Sequence, residues 1–224
     1  MFGCAPYVPS IRYEPPQELV VGQQVNQSIE VGSFVDNRGT DSHWLGAVRN
    51  GFGAVVKKLL TEKPTSEVVR AAFIEALAAR GITESKSTAR IAIEGTIIKF
   101  DCSTLFDYEA HAHLQVDVVS LPTRAVIFSK SYRTDNTMDG FGGGLYGGYK
   151  DLGLLAQKTL NETIDKFFAD PAFVAALTNL PNHPGTSVTR SVADRLRTLD
   201  QLKADGLISD SEYEAKRREL LGEL

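Results

Sequence analysis

The chain has 224 residues, of which 42% are apolar and 23% charged, so it can bury a core and wholesale disorder is excluded. Its net charge is -4, and its basic residues are interleaved with acidic ones, which gives no electrostatic footprint for nucleic acid. No stretch approaches the ~20 consecutive apolar residues of a membrane span, which excludes integral membrane insertion for the chain as written.

The first 27 residues are predicted to be a Pro-rich, extended tether, with prolines at positions 6, 9, 15 and 16. Cys4 follows Gly3, and a Gly-Cys pair is how a bacterial lipobox ends, at the point where the cysteine becomes lipidated. Cys4 is therefore a candidate lipidation site. The alternative interpretation is a chain terminus that carries a spare thiol.

Turn signals and periodicity predict the elements of the next segment. Residues 28–36 alternate as a first strand and end at a turn-prone Asp-Asn-Arg-Gly sequence. Residues 44–53 are rich in turn residues and predict a loop, followed by a short strand over 55–60. A helix is predicted from Pro64 to Arg80, because capping residues open it, an apolar stripe follows and Gly81 occupies the C′ position.

Three strands over 90–100, 110–118 and 125–133 are predicted to form a meander. Apolar and polar residues alternate strictly from Ala110 to Val118, which is typical of a strand with one dry and one solvated face. The alternation slips at Ile97-Ile98, which indicates a bulge. A connection as short as 121–124 fits an antiparallel hairpin and is too short for a parallel crossover.

Helical spacing then predicts a helix over 151–168, with a short extension from Pro171 to Leu180. Residues 181–190 are a predicted linker, and two short helices near 192–204 and 210–222 follow. The predicted fold class is α/β (α+β), with an antiparallel or mixed sheet, two helices packed on one face and a C-terminal helical hairpin. The predicted domains are a tether (1–27), an α/β domain (28–180), the linker (181–190) and the hairpin (191–224).

The C-terminal hairpin has apolar stripes but only about thirty residues, too few to build an independently stable core. It must therefore pack on the main domain or on other copies of itself. The predicted oligomerisation residues are Leu196, Leu199, Leu202, Ile208, Tyr213, Leu220 and Leu221.

This C-terminal segment resembles the SHOCT module, a short C-terminal domain appended to many bacterial proteins. The resemblance rests on the three leucines at 196, 199 and 202, on the Gly-Leu-Ile-Ser sequence at 206–209, on Glu212-Tyr213, on Lys216 and on the final leucine pair. It implies a role in oligomerisation or partner contact.

Residues 15–178 resemble the YajG-like lipoproteins of Gram-negative envelopes. The resemblance rests on element order and on short motifs at 31–38, 49–53, 79–81 and 131–133, the last before a Gly-Phe pair at 140 and 141. It implies an α/β domain with two helices on one face of the sheet, anchored to a membrane through Cys4. It supplies no catalytic residues, and the glycine loop is longer here than in that family.

Two histidines two residues apart, His111 and His113, share a strand face with Glu109 and Asp117 and are candidate metal ligands. A metal site needs a third ligand held in place, and spacing identifies none, so a solvated polar face is the preferred interpretation. Cys102 is interpreted as a buried spare thiol. Arg49 and Asn50 are a candidate anion site, although turn chemistry alone explains an Asn-Gly pair.

The segment 139–149 contains six glycines and three aromatic residues, Phe141, Tyr146 and Tyr149. It lacks the Gly-Lys-Ser/Thr ending of a phosphate-binding loop, so nucleotide binding is not predicted. Aromatic side chains are enriched in interface hot spots, and these three are the predicted partner-binding residues. The alternative is a disordered loop.

The sequence thus predicts a non-catalytic cell-envelope lipoprotein on the periplasmic side, anchored to the outer membrane only by its lipid. It would act as a structural or interaction component, a homo-oligomer or a partner of other envelope proteins, without nucleic acid, cofactor or metal. The alternative is a periplasmic module that binds peptidoglycan, lipid or a small molecule through the sheet face or the glycine loop. An enzyme is not expected.

Overall fold

A mixed sheet is the frame of the N-terminal part of this protein. The computed structural model describes residues 5–17, 28–139 and 148–178, together with Lys203, Tyr213, Lys216 and Arg217. Residues 1–178 form one compact unit and residues 179–224 a second. The elements are β1 (Ile29–Asp36), β2 (Trp44–Arg49), β3 (Val55–Leu60), α1 (Thr65–Ala79), β4 (Ile91–Thr104), β5 (Tyr108–Ser120), β6 (Val126–Met138), α2 (Gly148–Phe168) and α3 (Pro171–Thr178).

The strands lie in the order β3-β2-β4-β5-β6, and β1 pairs with β4 as well. Both β1 and β2 run parallel to β4 along the same edge: β1 pairs with residues 91–97 and β2 with residues 102–104. The β2-β3, β4-β5 and β5-β6 pairs are antiparallel. The sheet is therefore mixed, which is one of the two predicted types, and the predicted central meander is confirmed.

The predicted alternation decides which face of the meander is buried. On β5 the residues from Ala110 to Val118 alternate between buried and half-exposed positions as expected. The β4-β5 register shifts between Ile97 and Lys99, which confirms the bulge and leaves Ile98 40% exposed. The strands β4 and β6 extend to Thr104 and Met138, beyond their predicted ends, because polar residues on a solvated face do not mark a strand end.

The prediction of a loop over residues 44–49 is wrong, because Trp44–Arg49 is the strand β2. The misleading residue is Gly46, which lies so close to β4 that a Cβ atom there would be 1.9 Å from the carbonyl oxygen of Cys102. A glycine inside a strand often marks such a close backbone approach rather than a turn. The loop begins only at Asn50, and the predicted strand over 55–60 is confirmed.

The helices α1 and α2 cover one face of the sheet, as predicted, and the short helix α3 corresponds to the predicted extension. Aromatic rings join these layers. Phe73 of α1 lies 4.8 Å from Phe34 of β1 and 5.7 Å from Phe167 of α2, between ring centroids. Phe167 in turn lies 4.2 Å from Phe173 of α3. This aromatic cluster is the centre of the core.

Residues 5–17 are extended, but they lie along the domain rather than standing clear of it as a tether would. Tyr7 forms a parallel bridge to β3, in which its N–H donates to Lys58 O at 2.9 Å and its carbonyl accepts from Leu60 N at 3.0 Å. Tyr13 is buried, and its backbone N–H donates to Glu75 Oε2 of α1 at 2.7 Å. These bonds connect positions distant in sequence, so composition alone does not indicate them.

Candidate functional site

The sheet face away from the helices carries polar side chains that contact one another across strands. His111 of β5 lies opposite Asp135 of β6, and His111 Nδ1 is 2.6 Å from Asp135 Oδ1. Arg133 Nε donates to the other oxygen of the same carboxylate at 2.6 Å. The hydrogen bond from Arg133, followed by that from His111, lowers the pKa of Asp135. These three side chains form an exposed hydrogen-bond network that joins β5 to β6.

A second polar group lies further along the same two strands. Ser129 Oγ donates to Asp117 Oδ1 at 2.6 Å, and Gln115 Nε2 donates to Ser129 Oγ at 2.8 Å. Ser131 Oγ donates to Gln115 Oε1. These four side chains use their polar atoms on each other, an arrangement typical of cross-strand pairs that stabilise a sheet.

The candidate metal ligands do not converge on one point. His111 contacts Asp135, His113 lies opposite Arg133, and Asp117 is bonded to Ser129. Glu109 lies opposite Thr137 at the start of the strand. Within residues 5–17, 28–139 and 148–178, no three His, Cys, Asp or Glu side chains are close enough to share a metal ion.

A groove of about 290 Å³ lies beside His111, between the ends of β2, β4 and β5. Arg49, Lys99, Asp101 and Glu109 contribute charged groups to its lining. Cys102 also borders it, but this residue is 2% exposed, and burial raises the pKa of its thiol far above the ordinary value. The thiol therefore stays protonated, as expected of a structural cysteine rather than a nucleophile.

The loop after β2 is closed by its own side chains. Asn50 Oδ1 accepts from the N–H groups of Phe52 at 3.1 Å and Ala54 at 3.0 Å, and Arg49 Nη1 donates to Gly53 O at 3.0 Å. These bonds are the turn chemistry that an Asn-Gly pair favours. They leave Phe52 at the outermost point of the loop, 99% exposed.

Exposed apolar side chains collect at this end of the sheet. Because β2 runs parallel to β4, the loop after β2 and the loop after β4 emerge at the same end. The second loop carries Phe106, 71% exposed. The start of β3 and the end of β6 lie there as well, because Val55 pairs with Arg49 and Met138 with Tyr108. We define the apolar tip as Phe52, Val55, Leu105, Phe106 and Met138.

The N-terminal segment runs along β3, and its start points toward the apolar tip. Since the segment around Tyr7 runs parallel to β3, residue 5 lies on the side where β3 begins, which is the side of the apolar tip. The helix α2 also begins there, because Gly148 lies against Tyr108 at the start of β5. The predicted partner-binding residue Tyr149 contacts this region, with its ring 4.8 Å from that of Tyr7 and 5.4 Å from Lys57 Nζ.

Most of the other predicted site residues lie outside the described residues. This holds for the lipidation candidate Cys4, for two aromatics of the glycine loop and for the leucines and isoleucine of the hairpin, namely Phe141, Tyr146, Leu196, Leu199, Leu202, Ile208, Leu220 and Leu221. Tyr213 is described as a helical residue, 9% exposed, and Lys203 Nζ lies 4.3 Å from its ring centroid. These assignments therefore stay predictions.

Sequence reasoning missed the apolar tip, although each loop offered a signal. Phe52 stands among turn residues, and Phe106 follows directly after a strand end, so neither has a place in a periodic apolar stripe. What the sequence does not contain is the parallel pairing of β2 with β4 that brings the two loops to one end. Long-range pairing of this kind is decided by tertiary structure.

Comparison with known families identifies the C-terminal segment. Residues 194–221 match the family model of SHOCT, the short C-terminal domain, which confirms that prediction. No curated protein sequence matches the chain. None of the helices in the described ranges is both long and apolar enough to cross a bilayer.

Among solved structures, the fold is shared with a Xanthomonas campestris protein of the DUF330 family. The two are 13% identical, the TM-score is 0.57, and the alignment covers 76% of this chain and 96% of that one. The PelC dodecamer from Paraburkholderia phytofirmans (15% identity, TM-score 0.33, 60% of this chain and 87% of that one) and a lipoprotein from Neisseria meningitidis (12%, 0.27, 61% and 96%) are also similar. TM-scores this far below 0.5 do not establish a common fold.

Proposed function

We propose that this protein is a lipid-anchored, non-catalytic component of the bacterial cell envelope. Its lipid would be attached at Cys4, and the folded unit would lie on the periplasmic side, at the outer membrane. The resemblance of residues 15–178 to YajG-like lipoproteins supports this proposal. Under this proposal, the α/β unit is a scaffold. The C-terminal module makes contacts with other copies of the chain or with envelope partners.

The observation that carries the proposal is where the chain enters the fold. The hydrogen bonds of Tyr7 with Lys58 and Leu60 hold the start of the described chain beside β3, with residue 5 on the side where β3 begins. Cys4 is three residues before Tyr7, and three residues span at most about 11 Å. A lipid on Cys4 would therefore hold this end of the sheet within a short distance of the membrane.

The polar sheet face supports a scaffold role rather than catalysis. Catalytic groups usually converge on one reacting position and have pKa values tuned for proton transfer. Here the polar side chains of the β5-β6 face are used in cross-strand bonds, such as His111 to Asp135 and Ser129 to Asp117. Cys102, on the neighbouring strand β4, is buried and protonated.

The C-terminal module supports the interaction part of the proposal. Residues 194–221 match SHOCT, and residues 179–224 form a compact unit of their own. An apolar pattern in so short a segment needs a surface to cover it. We propose that other copies of the same module provide that surface.

Metabolic labelling tests the anchor. The gene, with its own upstream region, would be expressed in a Gram-negative host grown with an alkyne analogue of palmitate. We expect label on the wild-type protein and none on Cys4→Ser, because the lipobox cysteine is the acceptor. The matched control is Cys102→Ser, which should keep the label, since that thiol is buried. An unlabelled wild-type protein, or equal label on Cys4→Ser, would contradict the proposal.

A further inference from the structure

We propose that the apolar tip is a membrane-contacting surface, which inserts Phe52 and Phe106 into the interface of an anionic phospholipid bilayer. This contact is separate from the lipid on Cys4 and would orient the folded unit with the ends of β2 and β4 toward the membrane. It rests on the proposed function only for the biological setting, since the surface itself is built from the described fold.

The first step is the exposure of the tip. Phe52 is 99% exposed and Phe106 71% exposed, although Phe is among the residues most often buried. Leu105, Val55 and Met138, at 43%, 43% and 40%, continue the same surface. The two phenylalanines stand on separate loops that emerge side by side, so they form projections rather than a pocket. Projecting aromatic rings suit a soft, continuous apolar phase better than a shaped ligand.

The second step is charge complementarity. The hairpin Trp44–Leu60, which carries Phe52 and Val55, contains Arg49, Lys57 and Lys58 and no carboxylate, in a chain whose net charge is -4. Cations flanking an apolar projection match the negative potential of a bilayer that contains anionic lipid. Acidic residues stand at the other parts of the tip: Asp107 beside Phe106, Glu109 near the start of β5 and Asp139 directly after Met138. The positive charge that would face an anionic bilayer therefore comes from the hairpin.

The third step is the direction of the N-terminus. Tyr7 pairs with Leu59 in a parallel bridge, so residue 5 is the end of this segment nearer the tip. If Cys4 is lipidated, the anchor and the tip face the same bilayer, and the reach of three residues from Tyr7 is short. Two weak membrane contacts joined in this way strengthen each other, because the first raises the effective concentration of the second.

The size of the tip favours a bilayer over a second copy of the chain. A stable protein interface takes roughly 800 Å² and about 20 to 30 residues from each partner. The tip offers five apolar side chains on four separate chain positions around the end of the sheet. Insertion into a bilayer interface needs only a few aromatic side chains with basic neighbours.

Vesicle flotation with the full chain carrying Cys4→Ser tests the tip without a lipid anchor. We expect this protein to float with vesicles of phosphatidylethanolamine and phosphatidylglycerol, and tenfold less with phosphatidylcholine alone. Adding Phe52→Ser and Phe106→Ser should lower the partition coefficient at least tenfold. The matched control Val126→Ser removes an apolar side chain that is 59% exposed at the opposite end of the sheet and should change nothing. All variants should keep the same melting temperature, because these side chains are exposed.

A second variant, Arg49→Glu with Lys58→Glu, separates the contribution of electrostatic attraction from that of inserting the two phenylalanines. It should abolish the preference for anionic vesicles, and 0.5 M salt should weaken binding of the parent chain in the same way. Absence of flotation, or equal flotation of the serine double variant, would overturn the membrane proposal. So would a smaller oligomer in the serine variant without any vesicle binding, which would instead assign the tip to a second copy. Because every chain here lacks Cys4, these outcomes are independent of the palmitate experiment.

Discussion

Asp170, in the turn between α2 and α3, shows how single residues stabilise this fold. Its carboxylate accepts from Lys130 Nζ at 2.6 Å, from Tyr132 Oη at 2.8 Å and, at the start of α3, from Ala172 N at 2.9 Å. The hydrogen bond from Lys130, followed by those from Tyr132 and Ala172, lowers the pKa of Asp170 to about 2 against the opposing effect of burial. The same contact raises the pKa of Tyr132 further, after burial has already raised it.

We expect Asp170→Asn to reduce the free energy of unfolding by about 2 kcal/mol at pH 7. A carboxyl whose pKa is lowered in the folded state contributes its stability above the unfolded pKa of 3.8 and loses it as the pH falls through about 2. The difference between wild type and variant should therefore fall to roughly half near pH 3. Urea unfolding at several pH values measures it.

The matched control for that experiment is Asp101→Asn. Asp101 is 39% exposed and lies 3.8 Å from Lys99, an exposed ion pair of the kind that contributes little. Its replacement should change the free energy of unfolding by less than about 0.5 kcal/mol. Equal losses in the two variants, or a loss at Asp170 that does not depend on pH, would refute the assignment.

At the scale of elements, the place where β1 ends and β2 begins along β4 is held by one arginine. Arg38, 5% exposed, donates to Trp44 O at 2.6 Å and to Phe100 O at 2.8 Å, and pairs with Asp36 at 2.7 Å. It thus supplies hydrogen bonds to carbonyl groups in the gap between the two parallel strands. The pKa of Asp36 is lowered chiefly by the hydrogen bond from Arg38.

We expect Arg38→Lys to destabilise the protein by about 2–4 kcal/mol, because an ammonium cannot reproduce the guanidinium fork and leaves a buried carbonyl without a donor. Urea unfolding checks this value. The control is Arg124→Lys, at a position 64% exposed and 3.6 Å from Glu94, which should cost less than about 0.5 kcal/mol. If Arg38→Lys lowers the free energy of unfolding no more than the control does, the carbonyl groups between β1 and β2 do not depend on the guanidinium of Arg38.

At the scale of the whole molecule, the question is what covers the apolar stripe of the C-terminal module. The SHOCT match gives this segment an identity separate from that of residues 1–178. Leu199 and Leu202 belong to its predicted stripe, whereas Thr198 and Gln201 lie one position off it. These four positions allow a comparison at equal added charge.

We expect the full chain to be oligomeric and the double variant Leu199→Asp, Leu202→Asp to be smaller by light scattering, because charged groups would have to be buried at the contact. The variant Thr198→Asp, Gln201→Asp adds the same charge off the stripe and should keep the oligomer. Identical masses for the wild type and the leucine variant would remove the self-association proposal. The module would then cover its stripe on its own chain or on a partner.

The sequence by itself determined the elements whose pattern is local. The stripe of α1, the alternation of β5 and the slip at Ile97 follow from side-chain periodicity, and the structure confirms all three. The SHOCT module was likewise recognisable from its own residues. Periodicity succeeds here because one face of each element meets the core and the other meets water.

Only the tertiary structure decided what depends on pairing between distant segments. Gly46 appeared to be a turn residue because its neighbour Cys102 lies 56 positions away. Residues 5–17 appeared to be a tether because the partners of Tyr7 and Tyr13 lie on β3 and α1. The two phenylalanines of the apolar tip share one end of the sheet only because β2 and β4 are parallel. Such contacts leave no periodic trace in the sequence, since each is fixed by the register of whole strands rather than by the residues beside it.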